Sequence, residues 1–307
     1  MFSGASNFAE GVDSVFLFIF TISFIFLFGL TGIMVWFVIR YNRKRHPKAV
    51  QIKDNTKLEL AWTIIPLILV LFMFYYGYMA FAPTRVVPKD AMPVKVTGQM
   101  WSWSFEYPNG KKTTELRLPL NKPVKLLLYS PDVIHSFYIP AFRIKEDLVP
   151  GKENYMWFTP TLEGSFEILC AEYCGLSHAF MEAKVVVVQD TAFNRWLDEV
   201  VALTVEEAGL VVLKNNACTG CHSLDGKPLI GPTFKGLFGS KRVVVVNGKE
   251  TTVVADSAYI ERAILEPNKE VVKGFNPEIM RSYKDVLKAN DIKSIVDYLE
   301  LDSKAKK

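Results

Sequence analysis

Apolar and polar positions divide this chain into unlike stretches. From Ser14 to Ile39 no charged side chain occurs, and none occurs again from Leu60 to Ala82. A helix needs roughly 20 apolar residues to cross the hydrocarbon core of a bilayer, so each run is long enough to span. Buried helices of soluble proteins rarely run so far without a charge. After Pro93 the pattern shortens to β-type runs: PVKVTGQ, WSWSFEY, TTELRL, PVKLLLYS, YMWFTP, GSFEILC and AKVVVVQ, with Pro108–Gly110 as a turn signal between two of them. Strands at this spacing predict a sandwich or Greek-key barrel. Helical spacing then returns, first as Phe193, Trp196, Leu197 and Val200, and last in ANDIKSIVDYLE.

The expected architecture is a multi-domain membrane protein. Residues 1–92 form a two-helix transmembrane hairpin with spans at about 14–39 and 60–82, and residues 93–190 an all-β domain. Residues 191–204 are a short helical connector, and residues 205–307 an all-α domain.

Charge placement orients the hairpin. Residues 40–57 hold seven Lys/Arg against one acid, and such a cluster beside a span stays in the cytoplasm. Both termini and the soluble domains therefore face the periplasmic or outer side of a bacterial cytoplasmic membrane. Residues 1–13 contain no Lys or Arg, so the first span lacks the basic start of a secretory signal and is expected to be retained. His46, in the basic loop, reads as a solvated residue. Residues 82–204 and 205–307 sum to −1 and +2, which excludes a nucleic-acid binder.

The chain has only four cysteines and four histidines, and most of them fall in two clusters. Cys170, Glu172, Cys174, His178 and Met181 lie within CAEYCGLSHAFM, with His135 upstream in the loop SPDVIHSFYIP. Thiolates, imidazoles and a thioether form a soft set that selects copper over magnesium, calcium or manganese. A structural zinc site would use the two sulfurs and two imidazoles, and a Cys170–Cys174 disulfide would suit an oxidising compartment. Neither alternative employs Met181.

The second cluster is CTGCH, in which Cys218 and Cys221 have the spacing that forms thioethers to haem vinyl groups and His222 that of an iron ligand. A thioredoxin-like CxxC would need a βαβ setting that this segment lacks. Thr204 reads as an N-cap with Glu206 and Glu207 in the first helical turn. Beyond Met181 the chain has one methionine, Met280, and one histidine, His222, so elimination makes Met280 the second axial ligand.

These residues carry a family resemblance. CxExCGxxHxxM, following a hairpin and a strand domain, resembles the subunit II family of cytochrome c oxidases over about 190 residues. The resemblance implies a cupredoxin domain holding a dinuclear copper centre, CuA. In it Cys170 and Cys174 bridge the metals, His135 and His178 are terminal ligands, and Met181 and the Glu172 carbonyl are weak ligands. It implies a magnesium ion at the subunit I interface, reached by the Glu172 side chain, with Asp147 of KEDLVPG nearby. NTKLELAWTIIP resembles the family's entry to its second helix, where Glu59 marks the mouth of a proton channel. GQMWSWSFEYPNG resembles its aromatic segment, so Trp101 is the implied point of electron entry; Ser102 departs from the usual WYW, and no role is carried over to it.

GPTFKGLFG around Pro232 and the position of Met280 resemble class I cytochromes c. Together the clusters resemble the caa-type oxidases, in which a cytochrome c domain is fused to subunit II. The implied function is electron transfer from covalent haem c to CuA and on to subunit I, where oxygen is reduced to water with proton translocation. Implied partners are subunit I, other oxidase subunits, the bilayer, and a cytochrome c or upstream respiratory complex as donor. Two alternatives stand beside this reading: the CuA subunit of a nitric oxide reductase, and a membrane-anchored copper redox module belonging to no complex.

Overall fold

The two charge-free runs become α1, Ala9–Arg40, and α2, Thr56–Phe81. In a computed structural model of the chain, residues 4–48, 50–199, 204–227, 229–284 and 286–305 are described. Asn55 caps α2 by accepting from the Leu58 N–H at 3.2 Å. The outward side chains of both helices are apolar and exposed, Ile25 at 66% and Val38 at 68%, and an unpartnered apolar surface of this extent is suited to lipid. The hairpin is tied to the next domain at the end where α1 begins. Arg143 Nε lies 2.7 Å from Asp13, and the Ala5 N–H donates to the Ala141 carbonyl at 2.8 Å.

The strand region forms β1 Met92–Gln99, β2 Ser102–Glu106, β3 Lys112–Thr113, β4 Leu116–Pro119, β5 Val124–Tyr129, β6 His135–Ile139, β7 Ile144–Leu148, β8 Asn154–Phe158, β9 Gly164–Cys170 and β10 Glu182–Val188. They make two five-stranded sheets, ordered β3-β2-β1-β5-β8 and β4-β10-β9-β6-β7, with parallel pairs at β1/β5 and β10/β4. Alternate side chains from both sheets meet in one core, among them Trp103, Phe105, Leu126, Phe137, Phe158 and Ile168. The sandwich expectation is met, with one correction. His135 does not sit in a loop but opens β6, a strand hidden in the sequence because Pro131 and Pro140 bracket a run that otherwise reads as loop.

The expected connector is helical as α3, Asp190–Asp198, and it packs on the sandwich. Phe193 is buried, and Trp196 meets Tyr107 edge-on at 5.0 Å. Residues 200–203, Val200 among them, lie outside the described residues.

The rest builds a second core. α4, Val205–Asn215, begins with a capping box between Thr204 and Glu207. After α5, Cys218–Cys221, come β11 Lys241–Val246, β12 Lys249–Val254, α6 Ser257–Leu265, β13 Val271–Val272 and α7 Ala289–Ala305. α4 and α7 cross tightly at Gly209, where an added Cβ would lie 2.3 Å from the Ser294 carbonyl oxygen, so only glycine allows the contact. The all-α expectation for residues 205–307 is corrected by the three-stranded sheet β12-β11-β13. KRVVVV and KETTVV are β-branched runs joined at Asn247–Gly248, whose positive φ values of 48° and 78° suit a tight hairpin turn.

Candidate functional site

β9 ends at Cys170 and β10 begins at Glu182, with Leu169 opposite Glu182, so the ligand-rich segment is a loop closed at its base. The Cys170 N–H donates to the Met181 carbonyl at 3.1 Å, which fixes that closure. β6 lies beside β9 in the same sheet, with Phe137 opposite Cys170, and this pairing brings in His135 from far along the chain.

The sulfurs of Cys170 and Cys174 are 3.7 Å apart. Cys170 Sγ lies 4.0 Å from His135 Nδ1 and 3.3 Å from the Glu172 carbonyl oxygen. Cys174 Sγ lies 3.5 Å from His178 Nδ1 and 3.7 Å from Met181 Sδ. Two sulfurs thus stand at the centre, and each has its own imidazole and its own weak donor. The ligand atoms of His135, Cys170 and Cys174 lie within 4.8 Å of one another. The residues expected to hold copper are all brought together.

Electrostatics favours a cation here. Burial opposes ionisation of Cys170, but the His135 imidazole and backbone contacts at Ser136 and Glu172 pull its thiol down. Cys174 is pushed up, by burial and by the neighbouring Cys170 charge. Mutual repulsion opposes ionising both thiols at once, and a bound thiolate-loving metal would relieve it.

Sequence reasoning missed Asp132. Its Oδ1 lies 2.9 Å from His135 Nε2, and its Oδ2 accepts from the Met100 N–H at 2.7 Å. This carboxylate engages Nε2 and so leaves Nδ1 for the sulfur side, the usual support for a metal-bound imidazole. Its one sequence signal is its place three residues before His135. The two tryptophans separate: Trp103 is buried against Phe137 at 5.1 Å, whereas half-buried Trp101 donates from Nε1 to the Cys174 carbonyl at 3.0 Å.

In the C-terminal domain, Cys218, Cys221, His222 and Met280 line one largely apolar cavity of about 510 Å³, within the roughly 300–1,000 Å³ usual for a bound organic ligand. His222 Nδ1 lies 2.7 Å from the Pro232 carbonyl, which engages that nitrogen and leaves Nε2 for a ligand. Phe234 stacks on the ring at 4.6 Å and 14°. A Cβ on Gly231 would come within 2.6 Å of the imidazole, so the Gly231–Pro232 backbone also sets its orientation. Burial keeps His222 below its ordinary value and so in the neutral, ligating form. Burial pushes Cys218 up to about 12 and raises Cys221 also. A redox CxxC has a lowered thiol instead. The donor set and its apolar cavity fit a covalent haem.

Glu59 is exposed near the start of α2, and about 33 Å of helix separates it from Phe81 at the other end. The Glu172 side chain is exposed, and Asp147 accepts from Ser136 Oγ at 2.6 Å. Neither belongs to the sulfur cluster.

Two family models match the chain: cytochrome c oxidase subunit II, transmembrane domain, over residues 1–78, and cytochrome c oxidase subunit II, periplasmic domain, over residues 111–190. Cytochrome c oxidase subunit 2 of Alkalihalophilus pseudofirmus is 33% identical over 237 residues, which span 71% of this chain and 69% of that one. Alternative cytochrome c oxidase subunit 2 of Bradyrhizobium diazoefficiens is 34% identical over 198 residues, 54% of this chain and 72% of that one. The solved periplasmic domain of subunit II of cytochrome oxidase of Bradyrhizobium japonicum is 37% identical, covers 37% of this chain and 95% of its own, and superposes with a TM-score of 0.35.

Proposed function

This chain belongs to the cytochrome c oxidase subunit II family, and from that premise we propose that it is the electron-relay subunit of a caa-type oxidase, with its own cytochrome c domain in residues 205–307. Family membership favours the oxidase over a nitric oxide reductase subunit or a free-standing copper module. The observation that carries the reading is the symmetry of the sulfur pair, in which each cysteine has a separate imidazole and a separate weak donor. One metal held by both sulfurs and both imidazoles would leave Met181 and the Glu172 carbonyl idle; a pair uses all six donors.

Cys170, Cys174, His135, His178, Met181 and the Glu172 carbonyl would hold the coppers, with the two thiolates as the shared soft donors. Cys218 and Cys221 would anchor the haem covalently, and His222 and Met280 would supply its iron ligands. When bound, both centres hold and release single electrons. The protein's part is to keep the ligand geometry unchanged between oxidation states. The closed loop base, the Asp132–His135 pair and the Trp101 contact to the Cys174 carbonyl do this by fixing the ligands before metal arrives.

Trp101 is the proposed entry point because it touches both the copper loop and the C-terminal cavity. Glu59, following the basic loop at the start of α2, is assigned to proton uptake from the cytoplasmic side for proton translocation. The exposed carboxylate of Glu172, a hard oxygen donor, is assigned to magnesium at the subunit I boundary, with Asp147 nearby. Residues 1–92 are the anchor in a bacterial cytoplasmic membrane, 93–190 the copper domain, 191–204 the connector and 205–307 the haem domain. The soluble domains face the periplasmic side, in contact with subunit I, other oxidase subunits and a cytochrome c or upstream respiratory complex.

Purification of the tagged chain from native membranes tests the assembly. It should carry with it a larger membrane subunit with haem and copper and oxygen-reducing activity; recovery with a nitric-oxide-reducing partner would overturn the assignment. Asp132→Asn weakens the hold on His135 without replacing a proposed copper ligand. We expect copper affinity to fall about 10- to 100-fold, the usual loss for a supporting partner of a metal ligand, in a competition titration with a chelator. An unaltered affinity would show that Asp132 does not support His135 as a metal ligand.

A further inference from the structure

The two soluble domains meet at the end of β1. Met100, Trp101, Asp132 and Leu176 of the sandwich line the same cavity as Cys218, Cys221, His222 and Met280. Arg281, next in chain to Met280, donates from its guanidinium to the side-chain oxygen of Gln99. Gln99 is only 6% exposed, and a buried amide requires a partner. Its neighbour Met100 donates its N–H to Asp132, which in turn holds His135. The Gln99–Trp101 segment is therefore gripped from the copper side by Asp132 and from the cavity side by Arg281. Arg281 is itself steadied over the Tyr283 ring at 4.8 Å, and the Tyr283 hydroxyl donates to the Asn216 carbonyl at 3.0 Å, two residues before Cys218.

We propose that Arg281 is a positioning residue that clasps the C-terminal domain onto the Gln99–Trp101 segment, so that the mouth of the Cys218–His222 cavity stays against Trp101. The purpose of this clasp rests on the haem reading above; its existence does not. A tether alone raises the effective concentration of the two domains but leaves their orientation open. A charge-assisted hydrogen bond to a buried amide has a defined direction and supplies that orientation. Arg281 also explains how near-neutral domains stay docked, since the contact needs no complementary charged faces.

Hydrogen exchange on the full chain, loaded with copper and haem, tests the clasp. Arg281→Ala should speed exchange about tenfold in two separate segments, 97–101 and 275–283, the loss expected of one hydrogen bond from a charged group. Gln99→Leu should do the same, and the double variant should be no faster than either single one, because both remove one interaction. Gln99→Glu, which keeps the volume and offers Arg281 a carboxylate, should exchange no faster than the unaltered chain. If Arg281→Ala or Gln99→Leu does not accumulate, Arg281→Met and Gln99→Met, which keep much of the volume and remove the hydrogen bond, carry the same comparison. Faster exchange confined to 275–283, or single effects that add, would overturn the clasp. Haem and copper contents measured on the same samples judge the functional reading separately: their absence, with the cross-domain coupling intact, would sink that reading and leave the clasp standing.

Discussion

Replacing Cys174 with serine is expected to abolish the dinuclear copper centre while leaving the haem in place. Cys174 Sγ sits nearest the middle of the cluster, within 3.7 Å of Cys170 Sγ and Met181 Sδ and 3.5 Å from His178 Nδ1. Serine keeps the shape, so the loop should still close, but its hydroxyl is a hard donor that does not ionise at neutral pH and cannot bridge soft metals. Without the bridge, His178 and Met181 have no shared metal to join. Copper should fall from about two per chain to one or none, since a second metal has too few soft donors left. In electron paramagnetic resonance, the hyperfine pattern of one electron shared over two copper nuclei should vanish. The haem absorbance should persist, because Cys218 and Cys221 belong to a domain with its own hydrophobic core. A Cys174→Ser chain that retained a full copper pair would show that the two sulfurs are not the bridge.

Met280→His should lower the haem midpoint potential by on the order of 100 mV, a fraction of the roughly 0.8 V that axial ligands span. Met280 is half-buried in the wall of the cavity that also holds His222. A thioether is soft and favours ferrous iron, whereas imidazole is the better partner for the ferric state. The substitution should therefore turn a donor able to feed CuA into one that holds its oxidised form. A redox titration followed at the haem bands reads the shift directly. An unchanged potential would take Met280 out of the coordination sphere and make it a packing residue of the cavity wall.

Local spacing makes much of the metal chemistry legible in the amino-acid sequence itself. Residues 170–181 form one loop on one hairpin, so their nearness in sequence is nearness in space. His222 and the two haem-type cysteines are likewise a single turn. The hairpin spans and most strands follow from apolar patterning, because burial against lipid or a sandwich core imposes a period on the chain. What escapes such reading is either long-range or masked by its surroundings. The partnership of Arg281 with Gln99 joins residues 182 positions apart, and no local pattern marks it. Asp132 sits beside its partner in sequence, yet only the turn into β6 reveals that its carboxylate faces the imidazole. The hairpin of β11 and β12 is visible in its valine runs and Asn247–Gly248 turn, but the likeness of the surrounding motifs to an all-helical domain hides it.

Metal analysis of the purified full chain tests the central claim most directly. The proposed relay predicts about two coppers for each haem iron, with no zinc, and the copper pair reduced to one or none when Cys170 or Cys174 is removed. A single copper, or zinc in its place, would contradict a dinuclear centre at His135, Cys170, Cys174 and His178, and with it the proposed path of electrons through this chain.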